Sequence, residues 1–149
     1  MGMTFFFPAK EVSPRLWVGS SADSRNKAFL KKHDIGLVVN ATKTIPFSSR
    51  HILGYRVPVD DHPDENDTML EYFPITSRII DETLKSGQGV LVHCYAGIQR
   101  SCAIAAAYLM QSTGCGARDA MATIQAQKTE AFQPVPTFGR ALHAFGRTR

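Results

Sequence analysis

Cysteine is scarce: the 149-residue chain has three, Cys94, Cys102 and Cys115. The count is odd and no two form a CxxC pair, which argues against a disulfide framework and against a zinc site. Long apolar runs are missing as well. None approaches the roughly 20 residues that cross a bilayer. The Phe5-Phe6-Phe7 segment stops at Pro8 with no basic residue before it, too short for a signal-peptide core, and the start Met1-Gly2-Met3-Thr4 fits a myristoylation signal poorly. Dense blocks of Lys or Arg are also absent. Seventeen basic against thirteen acidic residues leave a net charge of +4, which suits anionic substrates and permits at most weak nucleic-acid contact. There are no repeats and no low-complexity tracts. What remains is an ordinary globular balance, 44% apolar and 20% charged. The chain reads as one soluble intracellular domain, cytoplasmic and/or nuclear, spanning 1–149 with 1–11 as an N-terminal extension. Neither a nucleic-acid partner nor a membrane partner is expected.

Periodicity supplies the elements. Arg15-Leu16-Trp17-Val18 predicts a short strand stopped by Gly19, and Ser21 to Asp23 can cap a helix running on to His33. The run 35–40, Ile-Gly-Leu-Val-Val-Asn, predicts a buried strand. Residues 55–59 predict another that ends or lies at an edge, because Pro58 cannot donate to a ladder. His62 to Asp67 reads as a loop, followed by a helix with Leu70, Phe73, Ile79, Ile80 and Leu84 on or near one face. Val90-Leu91-Val92-His93 predicts a strand buried on both sides, and Ser101 to about Gln111 an Ala-rich buried helix. Helices at 117–127 and 137–145 follow, separated by a loop with Pro134 and Pro136. Strands alternating with helices imply an α/β sheet covered on both faces.

The segment His93-Cys94-Tyr95-Ala96-Gly97-Ile98-Gln99-Arg100-Ser101 carries the chemistry. A loop between a buried strand and a buried helix can turn its amide N–H groups toward one point at the positive end of the helix, making a nest for a tetrahedral anion. Gly97 permits the tight turn. Arg100 can grip the same anion with two parallel N–H groups. A cysteine at the bottom of such a cradle is held as a thiolate for the reason that phosphate is held there, and a thiolate beneath phosphate is a nucleophile aimed at phosphorus.

The pattern His93-Cys94-x5-Arg100-Ser101 resembles the signature of the cysteine-based protein tyrosine phosphatases. Ala96-Gly97 and the helix with Ala107-Tyr108-Leu109-Met110 resemble the dual-specificity branch. So do Leu16 to Asn26, Leu37 to Thr42, Pro58-Val59-Asp60-Asp61 and Pro134 to Leu142, so the likeness runs from about residue 12 to about residue 145. It implies a protein tyrosine phosphatase-like fold, a mostly parallel mixed sheet of about four to five strands with helices on both faces. It also implies a protein phosphatase, without metal or cofactor, whose partners are phosphoprotein substrates bearing phosphotyrosine, phosphoserine or phosphothreonine.

The resemblance also assigns roles. Cys94 is the nucleophile that becomes a phosphocysteine. Arg100 binds phosphate, together with the amides of Tyr95, Ala96, Gly97, Ile98 and Gln99. Ser101 hydrogen-bonds the cysteine and helps it leave in the second step, and can cap the helix as well. His93 supports the loop and lowers the thiol pKa. The general acid lies after the strand at 55–59, where Asp60 and Asp61 compete; matching Pro58-Val59-Asp60-Asp61 to the family pattern puts Asp61 on that position, with Asp64 and Asp67 as solvated loop charges. Gln99 stands where the branch often has serine, a departure that bears on substrate access. Val135 stands where it often has asparagine, which touches only a supporting contact. Cys102 and Cys115 have no catalytic role.

A chain of 149 residues has little material to wall a deep phosphotyrosine-only pocket and no place for an N-terminal kinase-docking domain. A shallow site of a small, atypical member is therefore expected. Two alternatives stand beside this reading. One is a non-protein substrate, such as a phosphoinositide, an RNA 5′ phosphate or a glycan phosphate. Against it, Tyr95, Ile98 and Gln99 are uncharged where inositide-directed relatives carry lysines, and the loop lacks the His before the glycine and the Thr-Gly after the arginine of RNA-directed relatives. The other is a phosphate-binding module without catalysis.

Overall fold

The computed structural model of the chain describes residues 8–148; Phe5-Phe6-Phe7 lies outside them. Five strands, β1 (Lys10–Ser13), β2 (Leu16–Gly19), β3 (Ile35–Asn40), β4 (Leu53–Arg56) and β5 (Gly89–His93), form one sheet in the order β1-β2-β5-β3-β4. Every pairing is parallel except β1 with β2. The sheet is thus the mixed, mostly parallel one expected. β5 sits at its centre with all five residues buried.

Alternation along the strands sorts the core into two layers, since successive side chains face opposite sides. Leu16, Val18, Leu37, Val39, Val90 and Val92 join the larger core. Trp17, Val38 and Leu91 point the other way. The larger core is covered by α3 (Asn66–Lys85), α4 (Arg100–Thr113), α5 (Ala117–Gln127) and α6 (Gly139–Arg147). The smaller face is covered by α2 (Lys27–Lys32), through Leu30 and Phe29. Each large side chain fully buried contributes roughly 1.5–3 kcal/mol. α4 lies deepest: every residue from Ser101 to Met110 is buried, and four alanines among them let the neighbouring helices approach closely.

Several boundaries differ from the periodicity. Lys10 and Glu11, the end of the expected extension 1–11, belong to the sheet as the first half of β1. The helix expected up to His33 is two: α1 (Ser21–Ser24) is capped by Ser20 in a reciprocal pair with Asp23, and α2 is capped by Asn26. β4 ends at Arg56, leaving 57–59 as irregular chain in which Val57 and Val59 are buried. The expected loop 62–67 is a 3-10 turn, Pro63–Glu65, running directly into α3. α6 starts two residues later than expected, at Gly139. Among the described residues no helix is long and apolar enough to cross a membrane.

Candidate active site

The carboxyl ends of β3 and β5 open at one edge of the sheet, the usual position for a ligand in an open α/β fold. There β5 delivers His93 and the chain turns through Cys94–Gln99 into α4. The turn is held from outside by its carbonyl groups. Cys94 O accepts from His93 Nδ1 at 3.2 Å, Tyr95 O from the Ser21 amide at 3.1 Å, and Gly97 O from the Cys102 thiol at 3.5 Å. Ile98 O accepts from the Phe132 amide and Gln99 O from the Ala103 amide, both at 2.9 Å. In a trans peptide the N–H points opposite to the preceding carbonyl. Turning these carbonyls outward therefore turns the following amides inward.

Among the described residues the amides of Ala96, Ile98, Gln99 and Arg100 have no protein acceptor, and α4 has no side-chain cap. That leaves converging N–H groups at a positive helix end, where a tetrahedral oxyanion fits. Gly97 is indispensable to the turn. Its φ is +77°, and a Cβ there would lie 2.8 Å from the main chain of Gly19.

Cys94 is 2% exposed beneath this nest. Its Sγ accepts the Gly97 amide at 3.3 Å and lies 3.2 Å from Ser101 Oγ. Ser101 is therefore not the helix cap, a place taken by Gln99; its hydroxyl is committed to the sulfur. Burial, with Cys94 beside it, pushes the Cys102 thiol well up, so one of two neighbouring thiols is inert. Arg100 reaches across to donate to Val59 O at 3.1 Å. That contact brings the segment carrying Asp60 and Asp61 against the loop.

The two aspartates differ in their surroundings. Asp60 is tied at both ends: its amide donates to Glu65 Oε1 at 3.1 Å, and its carboxylate accepts from Lys43 at 3.0 Å. Asp61 is exposed, and its carboxylate has no hydrogen-bond partner among the described residues. Asp64 and Asp67 are exposed, but they lie in the 3-10 turn and the first turn of α3 rather than in a loop. Among the described residues no three His, Cys, Asp or Glu gather as a metal site.

His93 is 1% exposed, and burial lowers its pKa from 6.5 to about 4. The ring is neutral at neutral pH. It contacts the loop through the Cys94 carbonyl, at 3.2 Å from Nδ1. Stability carries the same signature. Above pH 6.5 the ring is neutral in folded and unfolded chains alike; below it the unfolded chain binds a proton that the folded chain refuses until about pH 4. Stability therefore falls as pH falls through that window, by about 2 kcal/mol between pH 8 and pH 5 from this group. Urea unfolding at the two pH values measures it, and His93→Asn is expected to remove that part of the drop. An equal drop in the variant would assign it to other groups.

Gln99 departs most from the sequence expectation. It is 7% exposed and turned away from the nest. Its Nε2 donates to Gln133 O and Val135 O at 3.0 and 2.9 Å, and its Oε1 accepts the Thr137 amide at 3.0 Å. The side chain therefore does not govern substrate access. Val135 is 68% exposed, and its carbonyl accepts from Gln99 Nε2. Asn66, which the sequence placed in a loop, is a buried hub: Nδ2 donates to Pro63 O and Thr137 O, both at 2.9 Å, and Oδ1 accepts the Ala141 amide at 2.8 Å. Its partners in α6 and the preceding loop are more than 70 residues away, so only a polar residue opening an apolar helix could have hinted at it.

Comparison with known proteins agrees with this geometry. The family described as "Dual specificity phosphatase, catalytic domain" matches residues 16–148. The human "Dual specificity protein phosphatase 9" is 35% identical over 132 residues, covering 87% of this chain and 34% of that protein. The chain thus spans about a third of the length of that relative. "Dual specificity protein phosphatase 1B" of Arabidopsis thaliana is 34% identical, over 93% of this chain and 81% of its own length. The crystal structure of human DUSP28 superposes with a TM-score of 0.88 at 27% identity, covering 95% of each chain. A match over nearly the whole chain, in sequence and in fold, places the protein in the dual-specificity phosphatase catalytic-domain family.

Proposed function

We propose that the chain is a cysteine-dependent protein phosphatase that hydrolyses phosphotyrosine and phosphoserine or phosphothreonine through a phosphocysteine. The observation that carries this reading is the position of Cys94 Sγ, itself an acceptor for the Gly97 amide, under a loop in which the amides of Ala96, Ile98, Gln99 and Arg100 have no protein acceptor among the described residues. Relatives that bear the name dual specificity protein phosphatase support it.

In this reading a phosphoryl group sits on the amides of Tyr95 to Arg100 and exchanges two of its oxygens' water contacts for the Arg100 guanidinium. Cys94 attacks phosphorus in line, and Asp61 donates a proton to the departing oxygen. Water, deprotonated by Asp61, then attacks the phosphocysteine, and the S–P bond breaks to return thiolate and inorganic phosphate. Ser101, at 3.2 Å, stabilises the departing sulfur by donating its hydroxyl.

Turnover of an aryl phosphate in EDTA under reducing conditions, inhibited by vanadate, is the expected result. Peptides bearing phosphotyrosine and phosphothreonine are expected to be hydrolysed as well. Turnover confined to an inositol phosphate or an RNA 5′ phosphate would move the substrate outside protein. No turnover, with retained phosphate binding, would leave a binding module.

A further inference from the structure

The segment with Asp61 is gripped at both ends by consecutive residues of the catalytic loop. Arg100 holds one end directly, through Val59 O at 3.1 Å. Gln99 holds the other through an intermediary. It accepts the Thr137 amide at 3.0 Å, Asn66 takes the Thr137 carbonyl at 2.9 Å, and the same amide group of Asn66 takes Pro63 O at 2.9 Å. The result is a closed ring of contacts, Arg100 to Val59, along the chain to Pro63, then Asn66, Thr137 and Gln99, back to Arg100. Asp61 stands midway along its outer arc. Both hubs are buried, Gln99 at 7% and Asn66 at 3% exposure, so their hydrogen bonds are shielded from water and costly to leave unmade. The Thr137 peptide is used on both its N–H and its C=O, which makes its orientation the link between loop and acid segment. The Phe132 amide on Ile98 O at 2.9 Å fastens the near side of the same strap.

We propose that Gln99 and Asn66 are positioning residues that set the spacing between Asp61 and Cys94. The inference rests on the phosphatase reading and on Asp61 as its acid. Neither side chain touches the reacting atoms. Each acts by holding a segment that carries one of them, and a misplacement on the order of 1 Å can cost about 10²-fold in rate.

The test exploits the proton. A phosphate ester with a poor leaving group needs the acid; one with a good leaving group departs with little help. Phenyl phosphate and 2,4-dinitrophenyl phosphate are compared in wild type, Gln99→Met and Asn66→Asp. The first variant keeps the shape and loses the three bonds. The second keeps the acceptor for Ala141 and loses both donations, so one decides if the other fails to fold. In each, kcat/KM, which reports the transfer to Cys94 and not the hydrolysis step common to both substrates, is expected to fall roughly ten-fold or more for phenyl phosphate and less than about three-fold for dinitrophenyl phosphate. Added to Asp61→Asn, Gln99→Met should bring no further difference between the two substrates. Equal losses on both substrates, or a rise in KM alone, overturn the positioning role while leaving the phosphatase reading intact. Absence of wild-type turnover overturns both.

Discussion

Cys94→Ser is expected to lower kcat on an aryl phosphate by on the order of 10⁴-fold or more while leaving the fold in place. The two halves of the expectation have separate causes. Exchange of sulfur for oxygen keeps the size of a small acceptor, so the Gly97 amide and the Ser101 hydroxyl, now at 3.3 and 3.2 Å from Sγ, still find a partner. The unfolding free energy measured in urea should therefore change by no more than about 1 kcal/mol. The chemistry does not survive. A serine hydroxyl keeps its proton near neutrality, and among the described residues the side-chain and amide partners of Cys94 Sγ are Ser101 and Gly97, neither of them a base; His93 is neutral, and its Nδ1 is spent on the Cys94 carbonyl at 3.2 Å. The anion nest does survive, because its donors are main-chain amides and Arg100. The variant should thus bind vanadate or a phosphopeptide that it no longer hydrolyses. Measured kcat above about a hundredth of wild type would mean that the thiol is not the nucleophile.

Residues whose role is written in their neighbours along the chain were legible; residues whose role comes from across the fold were not. The Cys94–Arg100 loop was readable because its conformation follows from a local sequence, a buried strand, a glycine with positive φ and an apolar helix. β1 was invisible because Lys-Glu-Val-Ser offers one inward residue, Val12, and an edge strand of that kind has no alternation to detect. The start of α3 was misplaced because Asn66 looks like loop chemistry until its partners Thr137 and Ala141 arrive from the far end of the chain. Gln99 was singled out as unusual, but its orientation is set by carbonyls 34 and 36 residues away. The preference for Asp61 over Asp60 came from matching the family pattern; the ion pair of Asp60 with Lys43, 17 residues away, was not visible in the sequence.

That choice has a second large consequence. Asp61→Asn should lower kcat roughly 10²- to 10³-fold on substrates with poor leaving groups, the range that general acid catalysis supplies, whereas Asp60→Asn should cost less than about three-fold. In the sequence the pair is told apart only by the match of Pro58-Val59-Asp60-Asp61 to the family pattern, which favours Asp61. The surroundings separate them. Asp60 already has the Lys43 ammonium on its carboxylate, and Lys43 also holds Glu65 at 2.8 Å. An acid so engaged would have to break an ion pair in order to present a proton. The pair is 63% and 45% exposed at its two side chains, so neutralising Asp60 forfeits little stability, and Glu65 still accepts the Asp60 amide. Asp61 is one residue farther along an arc pinned at Val59 and Pro63, with no hydrogen-bond partner on its carboxylate among the described residues. The falling limb of kcat against pH reports loss of the acid's proton, so it should flatten in Asp61→Asn and persist in Asp60→Asn. The reverse pattern would move the acid to Asp60 and make Lys43 part of the catalytic apparatus, since the ammonium would then have to leave the carboxylate in every turnover.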